Sequence, residues 1–387
     1  MGSLMIDTAI RPLKEHFRSL KDPRAQHNID HLLLDIVLIT ICAVICGADT
    51  WGEIEHYGIA KQEWLETFLE LPNGIPSHDT FERLFARLRP EQVQQCFLNW
   101  VQAVFKITGG QLISLDGKTL RGSYERGGKQ GMIHMVSAWA SENRLVLGQR
   151  KVSEKSNEIT AIPELLKVLD LNGAVVSIDA MGCQTEIAAQ IVAQEGDYVL
   201  ALKGNQGDLH QDVQQLFDHA HRQNFRDIEH DVYETQEQGH GRQEIRRYWV
   251  MGNTEYLIGA ENWAKLRTIG CVEFQRQVGN KMTCERRYYL LSLPLDATRF
   301  ADSVRGHWGI ENQLHWILDV GFREDKSRST QGYCAENLAV IRHLAVNLIA
   351  QERSAKVGTR AKRLKAGWDD KYLIKILAQG SIPSRKL

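Results

Sequence analysis

The sequence lacks the cysteine pattern of a disulfide-stabilised secreted domain or of a zinc-binding module. Its seven cysteines are odd in number and scattered along 387 residues, and no C-x-x-C pair occurs. Cys42 and Cys46 lie four residues apart in an apolar segment, so both should face one way on a helix as buried thiols. This cysteine usage fits a reducing cytoplasm.

Long hydrophobic runs and a signal peptide are also missing. The most apolar stretch, residues 32–48, contains Asp35 and falls short of the roughly 20 residues that span a bilayer. The N-terminus carries no cationic region that leads into an apolar one. We therefore expect a buried helix at 32–48, no membrane partner and a cytoplasmic location.

Charge of one sign is absent overall. With 47 Lys and Arg against 48 Asp and Glu, the net charge is −1, which does not by itself indicate a nucleic-acid partner. Charge is concentrated locally, because residues 351–387 hold ten Lys or Arg and three acids. Such a basic C-terminal tail can lie along phosphates, or it can be a solvated helix face with a disordered end, and composition favours neither.

Residues 1–108 are predicted to form an all-helical domain, one of two or three domains that this length suggests. Apolar residues recur at helical spacing near 6–20, 29–48, 51–70, 78–88 and 90–106. Ser77 is placed to cap the fourth helix, which presents Arg83 and Arg87. A short basic helix after a turn can enter a DNA groove, although a surface helix of a packed bundle is the favoured interpretation for any one such helix.

From residue 111 the apolar period becomes that of strands. We predict strands at 111–115, 131–140, 144–152, 174–178 and 197–202, and helices at 157–169, capped by Ser156 or Asn157, and at 185–194. The order β-β-β-α-β-α-β over 109–204 is that of the α/β ribonuclease H-like fold, whose first and fourth strands lie side by side. The first strand is predicted to end in Asp116 and the fourth in Asp179.

Residues 205–300 interrupt this pattern. A helix at 208–221 leads into strands at 228–235, 242–251, 267–278 and 284–292, with a turn at 239–242, so we interpret 205–300 as a mostly β insertion. Helix returns near 302 and passes Glu311 to Trp316 or a little beyond, and a further helix covers 335–352. Residues 301–350 would then complete the ribonuclease H-like core.

Three carboxylates, Asp116, Asp179 and Glu311, are the candidate catalytic residues. Carboxylates delivered from two neighbouring strand ends and a helix suit two hard divalent cations about 4 Å apart, which can activate water or a hydroxyl against phosphodiester bonds. Mg²⁺ suits such all-oxygen ligation, with Asp116 bridging both ions. The simpler interpretation is that acids at strand ends cap turns. This interpretation is less favoured when all three acids are considered together in this strand order.

The segment around Glu311 offers further candidates. His307, Glu311 and His315 are spaced four apart and share a helix face. A zinc site could use them, but no cysteine is adjacent, so we favour histidines that flank the metal or touch phosphate. Trp308 and Trp316 recur eight residues apart, and core packing is favoured over base stacking for both.

Basic and polar residues gather where a phosphate backbone would pass the core. They are Lys118, Arg121, Lys203, Asn205, Gln206, Arg323, Lys326 and Arg328. Glu158 opens the first core helix. Glu158 could be an extra acid near the site. The preferred interpretation is that it is a first-turn acid, whose charge the helix dipole stabilises.

Together these motifs resemble bacterial insertion-sequence transposases of the DDE class, and most of all the H-repeat-associated transposase family. The resemblance runs from about residue 14 to about residue 378. The matching stretches are residues 38–48, 74–80, 116–121, 155–166, 179–184, 203–206, 239–242 and 307–316.

The resemblance implies a ribonuclease H-like core with a β insertion before the last acid, an N-terminal domain that binds DNA ends, and a DDE triad of Asp116, Asp179 and Glu311. It implies two Mg²⁺ ions, for which Mn²⁺ can substitute. The implied partners are double-stranded DNA, as terminal inverted repeats and target, and a second copy in a homodimer on paired DNA ends. The implied location is the bacterial cytoplasm, in association with the nucleoid. Further DNA-binding or supporting roles fall to Arg242, Arg305, His307 and His315.

One departure surrounds Glu311. The broader group with this β insertion carries Tyr, Arg and Lys where this sequence has Val304, His307 and Leu318. The Arg and Lys roles could fall to Arg305, His307, Lys326 or Arg328, or they could be absent. The resemblance therefore leaves open whether hairpin-type processing occurs. Two alternatives to an active transposase stay open: a catalytically silent DNA-binding descendant, against which the three acids argue, and a nuclease without a mobile-element role.

Overall fold

A computed structural model describes residues 2–104, 111–123, 132–152, 158–239, 242–279 and 281–381. The N-terminal region is helical, as predicted, with α1 (Gly2–Phe17), α2 (Leu33–Ile45), α3 (Trp51–Ala60), α4 (Gln62–Leu65), α5 (His78–Phe85) and α6 (Pro90–Val104). The single helix predicted over 51–70 is wrong, because the chain breaks at Lys61 between α3 and α4.

Helix α2 is buried from Asp35 to Ile45, which confirms the buried helix predicted there. Asp35 is tolerated because its Oδ2 accepts the backbone N–H of Leu71 at 2.9 Å. Across the described ranges, no helix has both the length and the apolar character that crossing a membrane requires. All seven cysteines are free, and Cys42 is buried.

Nine strands form one sheet in the order β3-β2-β1-β4-β5-β9-β8-β7-β6. The first five are β1 (Leu112–Leu120), β2 (Ile133–Ala140), β3 (Leu145–Lys151), β4 (Val175–Ile178) and β5 (Asp197–Leu202), with helices α7 (Glu158–Leu166) and α8 (Thr185–Ala193) between them. β1 is antiparallel to β2 and parallel to β4, which confirms that the first and fourth strands are neighbours. The proposed capping residues Ser156 and Asn157 lie outside the described residues.

The segment predicted as a mostly β insertion contains α9 (Gly207–Arg222), β6 (His230–Gly239), β7 (Arg242–Met251), β8 (Thr268–Val278) and β9 (Lys281–Leu291). β9 pairs antiparallel with β5, so these strands extend the core sheet. β6 and β7 pair up to Gly239 and Arg242, on either side of the predicted turn, whose residues 240 and 241 lie outside the described ranges.

Helix α10 (Ala297–Gly309) continues into two π-helical segments, Ile310–His315 and Ile317–Gly321, and α11 (Cys334–Gln351) follows. α11 is buried between the N-terminal helices and the sheet. Asn347 of α11 exchanges two hydrogen bonds with the backbone of Val146 in β3, at 2.7 and 2.9 Å. Asn337 donates to the backbone oxygens of Phe85 and Leu88. This helix therefore fastens the helical region to the sheet.

The basic C-terminal tail is folded over most of its length, so its helical part agrees with the interpretation as a helix rather than as an extended segment. It forms α12 (Thr359–Trp368) and α13 (Asp370–Leu377). Arg363 is buried. Its guanidinium donates hydrogen bonds to the backbone oxygen of Val44 at 3.0 Å and to the carboxylate of Asp49 at 2.7 Å. Lys362 is also buried and donates to the backbone oxygen of Ile349. Neither cation is available to a phosphate, because each already has partners in the interior.

Candidate active site

Two aspartates follow the last residue pair of the parallel β1–β4 ladder. Leu115 lies opposite Ile178, so the next residue on each strand is an acid, Asp116 and Asp179. Residues in register on neighbouring strands project to the same side of a sheet. β4 ends there, but β1 continues to Leu120 because β2 still supplies backbone partners. The prediction that Asp116 ends its strand is therefore wrong, although its position beside Asp179 does not depend on it.

Asp179 also caps the turn that follows it. Its Oδ1 accepts two backbone N–H groups of that turn, the nearer at 3.1 Å. Asn205 donates to the backbone oxygen of Ala180 at 2.6 Å, and Gln206 donates to that of Cys183 at 2.9 Å. Asn205 and Gln206 therefore support the loop that carries Asp179.

Helix α10 lies close to both acid-bearing strands. Gly306 packs so tightly on β1 that a Cβ at this position would collide with the side chain of Leu112. Nδ1 of His307 lies 3.0 Å from Oγ of Ser177 on β4. These contacts set the helix across the strands, and Glu311 follows in the first π-helical segment.

The three acids line one cavity of about 480 Å³. Residues of β5, α9, β9 and α10 also line this cavity. The other polar side chains in the wall are those of Ser177, Lys203, His210, Gln214, Glu285, Arg286, Arg287, Tyr288, Tyr289, His307 and Trp308. Carboxylates and cations therefore face the same space.

Burial and neighbouring acids raise the pKa of Asp116 to about 7. Burial is the largest cause. The N–H of Gly117 donates to Oδ1 at 2.9 Å and opposes the shift, while Asp179, Glu311 and Glu158 add repulsion. A bound cation would offset the repulsion among these carboxylates.

The donor set fits a divalent ion in kind, since hard cations prefer carboxylate oxygens. Among the residues that the structure describes, however, no three His, Cys, Asp or Glu side chains lie close enough together to hold one metal ion. Asp116 and Asp179 both accept backbone N–H groups instead. Coordination of one ion by all three acids therefore requires their side chains to move closer together, and Oδ2 of each aspartate is not used in these bonds.

Lys118 is not placed to contact a phosphate, contrary to the prediction. Its ammonium donates to Asp319 and, at 2.7 Å, to Oε2 of Glu324, and its side chain is only 10% exposed. Oε1 of Glu324 lies 3.7 Å from Arg342, which is also buried. Lys118 is buried because the chain after the Glu311 segment covers the end of β1.

The two histidines of the Glu311 segment are buried beside the acids. Burial lowers the pKa of His307, against the opposing effect of Asp179. Burial, followed by Lys118, lowers the pKa of His315 to about 4, and its Nδ1 lies 3.6 Å from Oδ2 of Asp116. Both rings are therefore neutral near pH 7 and flank the acids without adding positive charge.

The tryptophans of this segment are exposed, so the favoured interpretation of core packing is wrong for both. Trp308 is 44% exposed and Trp316 is 59% exposed. The guanidinium of Arg287 lies 5.1 Å from the ring centre of Trp308, in a cation–π contact. The segment packs through Ile310 and Leu314 instead, because those residues face the sheet.

The remaining basic candidates lie at the surface, and several form ion pairs that a phosphate would have to open. The pairs are Arg121 with Asp325 at 3.7 Å, Arg242 with Glu244 at 3.1 Å, and Arg305 with Glu237 at 2.7 Å. Lys203, Arg323, Lys326 and Arg328 are exposed as well, and Lys203 lines the cavity of the acids.

Arg83 on helix α5 and Arg87, two residues past its end, are exposed, while the apolar face of the helix packs inward. Ser77 occupies the N-cap position, but its hydroxyl lies 3.2 Å from that of Thr80 and caps no backbone N–H. The predicted side-chain cap is therefore wrong. The exposure of the two arginines suits either interpretation of this helix.

Two features near the three acids were undervalued or missed from the sequence. The carboxyl of Glu158 lies against Gly117 beside Asp116, so its role as a simple first-turn acid is incomplete. Arg286 and Arg287 enter the wall because β9 pairs with β5, a pairing that no local pattern reveals. For Glu158 a signal existed, since it begins the helix after the third core strand.

Comparisons with known proteins agree with the motifs. The family described as DDE_Tnp_1-associated matches residues 14–101, and the Transposase DDE domain family matches residues 107–348. "Putative transposase YncI" of Escherichia coli O157:H7 is 42% identical over 378 residues, 96% of each chain. "H repeat-associated putative transposase YhhI" of Escherichia coli strain K12 is 40% identical over 376 residues, 95% of this chain and 98% of that one.

A cryo-EM structure of a piggyBac transposase synaptic complex with hairpin DNA aligns with 96% of this chain and 78% of its own at 11% identity; its TM-score of 0.41 supports no inference. The family match does support an inference, because it covers most of the chain. Proteins of this family generally use divalent metal ions. The resemblance seen in the motifs is thus confirmed, and the chain belongs to the family of DDE-domain transposases, with H-repeat-associated relatives.

Proposed function

We propose that the chain binds the terminal inverted repeats of an insertion sequence and cleaves and joins DNA strands with Asp116, Asp179 and Glu311. Membership of the transposase family supports the reaction class. The residue assignment rests above all on the register of Leu115 with Ile178, which sets two aspartates side by side under the segment that carries Glu311.

A ribonuclease H-like core belongs to this proposal. It is supported by the order β3-β2-β1-β4-β5, with β1 antiparallel to β2 and parallel to β4. The remaining divisions are a helical DNA-end-binding part (1–108), core parts at 109–204 and 301–350, the β insertion (205–300) and the basic C-terminal part (351–387). Arg83 and Arg87 would contact DNA from α5.

We assign two Mg²⁺ ions to the acids, with Mn²⁺ as a substitute. Asp116 would bridge the ions, and Asp179 and Glu311 would hold one each. Such an ion pair supplies an activated hydroxyl and stabilises the leaving oxygen. Asp116 would lose its proton on ligation, since its pKa lies near 7 without a cation.

The other cavity residues have roles that follow from their positions. His315 beside Asp116 is neutral, so it can hydrogen bond to that carboxyl without competing electrostatically for it. Lys203 and Arg287 place positive charge in the wall, where the phosphate backbone of either DNA partner would lie. A homodimer on paired ends would bring two such cavities to one synapse.

Hairpin-type processing is not part of the proposal. The positions that hold Tyr and Lys in the broader group are occupied by Val304 and Leu318, and both are buried and apolar. The middle position holds His307, which is bound to Ser177.

The test is Asp116→Asn. We expect it to abolish Mg²⁺-dependent cleavage of cognate end DNA while a gel shift with the same DNA persists, because the fold and the DNA contacts remain. Asp208→Asn, an exposed acid of α9, is the matched control and should cleave normally. Undiminished cleavage by Asp116→Asn would sink the proposal.

The two alternatives give other results with the unmodified protein. Binding of the terminal repeats without cleavage in Mg²⁺ or Mn²⁺ would favour a catalytically silent descendant. Cleavage with no preference for those repeats would favour a nuclease without a mobile-element role.

A further inference from the structure

The backbone beside Asp116 makes room for the carboxyl of Glu158. A Cβ placed on Gly117 would collide with both Cδ and Oε1 of Glu158. Gly117 also donates its N–H to Oδ1 of Asp116 at 2.9 Å. The lack of a side chain at this one position therefore lets a fourth carboxyl reach the edge of the site.

Packing of α7 holds Glu158 there. The helix buries Ala161, Ile162, Leu165 and Leu166 and packs on β2, β3 and α8. Its side chains also contact the turn that Asp179 caps, since a Cβ on glycine 182 of that turn would strike Ile162 at 2.9 Å. Helix α7 is thereby anchored to the turn after Asp179, and its first residue lies against the strand that carries Asp116.

Glu158 opens α7 and also shares the electrostatic environment of the acid cluster. An acid that only complements the helix dipole has a stabilised charge, which lowers its pKa. Burial, followed by Asp179, instead raises the pKa of Glu158, and His134 opposes the shift. Glu158 in turn helps to raise the pKa of Asp116.

We propose that Glu158 is a fourth carboxylate of the cation site and binds a divalent ion on the α7 side of Asp116 and Asp179, with Gly117 as the gap that admits it. This inference rests on the proposed function, because it requires those aspartates to hold the ion. Four carboxylates also carry the charge that two divalent ions neutralise.

The experiment measures Mn²⁺ binding to the full chain without DNA, by titration calorimetry. Variants Glu158→Gln, Asp116→Asn and Glu164→Gln are compared with the unmodified protein. Glu164 is the matched control, because it lies on the same helix but is 59% exposed and paired with Lys167. We expect roughly tenfold or greater loss of affinity for the first two and none for the control, the scale seen when residues of a metal site are altered.

The outcomes separate the inference from the proposed function. Unchanged affinity in Glu158→Gln, with a loss in Asp116→Asn, overturns the role of Glu158 alone. Unchanged affinity in both overturns the assigned cation site as well.

A second variant, Gly117→Ala, retains every carboxylate and displaces only that of Glu158. It should lose Mn²⁺ affinity to about the same extent as Glu158→Gln, with little further loss in the double variant. Without Mn²⁺, Glu158→Gln should melt no lower than the unmodified protein, because a repelling acid is gone. With Mn²⁺ its melting temperature should rise less. A lower melting temperature without Mn²⁺, together with an equal rise with it, would show a merely structural role and overturn the inference.

Discussion

Lys118 and Glu324 form an ion pair in the protein interior, with Nζ 2.7 Å from Oε2. Lys118 stands two residues after Asp116 on β1, and Glu324 follows the two π-helical segments, the first of which carries Glu311. The ammonium also binds Asp319 within the second of these segments. The pair thus joins the strand of one candidate catalytic acid to the segment of another.

Replacing Lys118 with Met should destabilise the protein by about 3 kcal/mol, since buried Glu324 loses its nearest cation and is left with Arg342, 3.7 Å from its Oε1. The free energy of unfolding in urea measures this. Lys167→Met, which removes a 61% exposed cation paired with Glu164, should change it by less than about 1 kcal/mol. Equal losses in the two variants would contradict a special role for Lys118.

Replacing Gly306 with Ala should push α10 away from β1, because the added Cβ would collide with Leu112. We expect a loss of about 1–3 kcal/mol in stability, as for other overpacked contacts, and reduced DNA cleavage as the Glu311 segment shifts. Adding Leu112→Ala to the Gly306→Ala variant should restore part of the stability and part of the DNA cleavage. A double-mutant cycle measures this coupling between the two residues. Gly52→Ala is the control, since a Cβ on Gly52 meets no atom within 4 Å. An additive double variant would show that the two residues do not collide.

Stability should fall in acid partly through Glu352. Burial by itself would raise the pKa of the Glu352 carboxyl. Hydrogen bonds from Ser354 and Tyr372 outweigh burial and lower this pKa to about 2. The folded pKa lies below the unfolded value of about 4.3, so this stabilisation is present above that pH and is lost as the pH falls towards 2. The unfolding free energy should therefore decline less between pH 6 and pH 3 in Glu352→Gln, with exposed Glu63→Gln as control. Parallel declines in all three proteins would rule out this contribution.

Trp308→Ala should weaken binding of single-stranded end DNA by about 5- to 100-fold, the range for losing one base–aromatic stack. Its ring is exposed beside the acids and already meets a cation, Arg287. Stability should change by less than about 1 kcal/mol, because little area is lost from the core. Fluorescence anisotropy with Trp368→Ala, a 78% exposed tryptophan on α12, provides the comparison. The same affinity in both variants would mean that Trp308 contacts no base.

Much of the fold could be predicted from the sequence because it depends on local periodicity. The strand predicted at 197–202 has those bounds in the structure, and the buried helix α2 lies inside the predicted stretch. The neighbouring positions of β1 and β4 also followed from element order. Where local signals ended, predictions were wrong: β1 extends past Asp116 because its partner β2 is longer than β4.

The site divides in the same way. Apolar strands followed by Asp116 and Asp179, and the motif around Glu311, point to a DDE transposase. These signals could be recognised because each one is contained within a few consecutive residues. The exposure of Trp308 and Trp316 was not predictable, since helical spacing shows which residues share a face but not which face meets the sheet.

The sequence by itself determined the family, the order of elements and the three acids that head the list of candidate catalytic residues. Only the tertiary structure decided that Glu158 reaches Gly117, that Lys118 is buried against Glu324 and that Arg363 fills the interior. Each of these is a contact between residues far apart in the chain. Charge and spacing constrain a side chain only within its own segment, whereas packing between segments decides whether it faces solvent, a substrate or another charge.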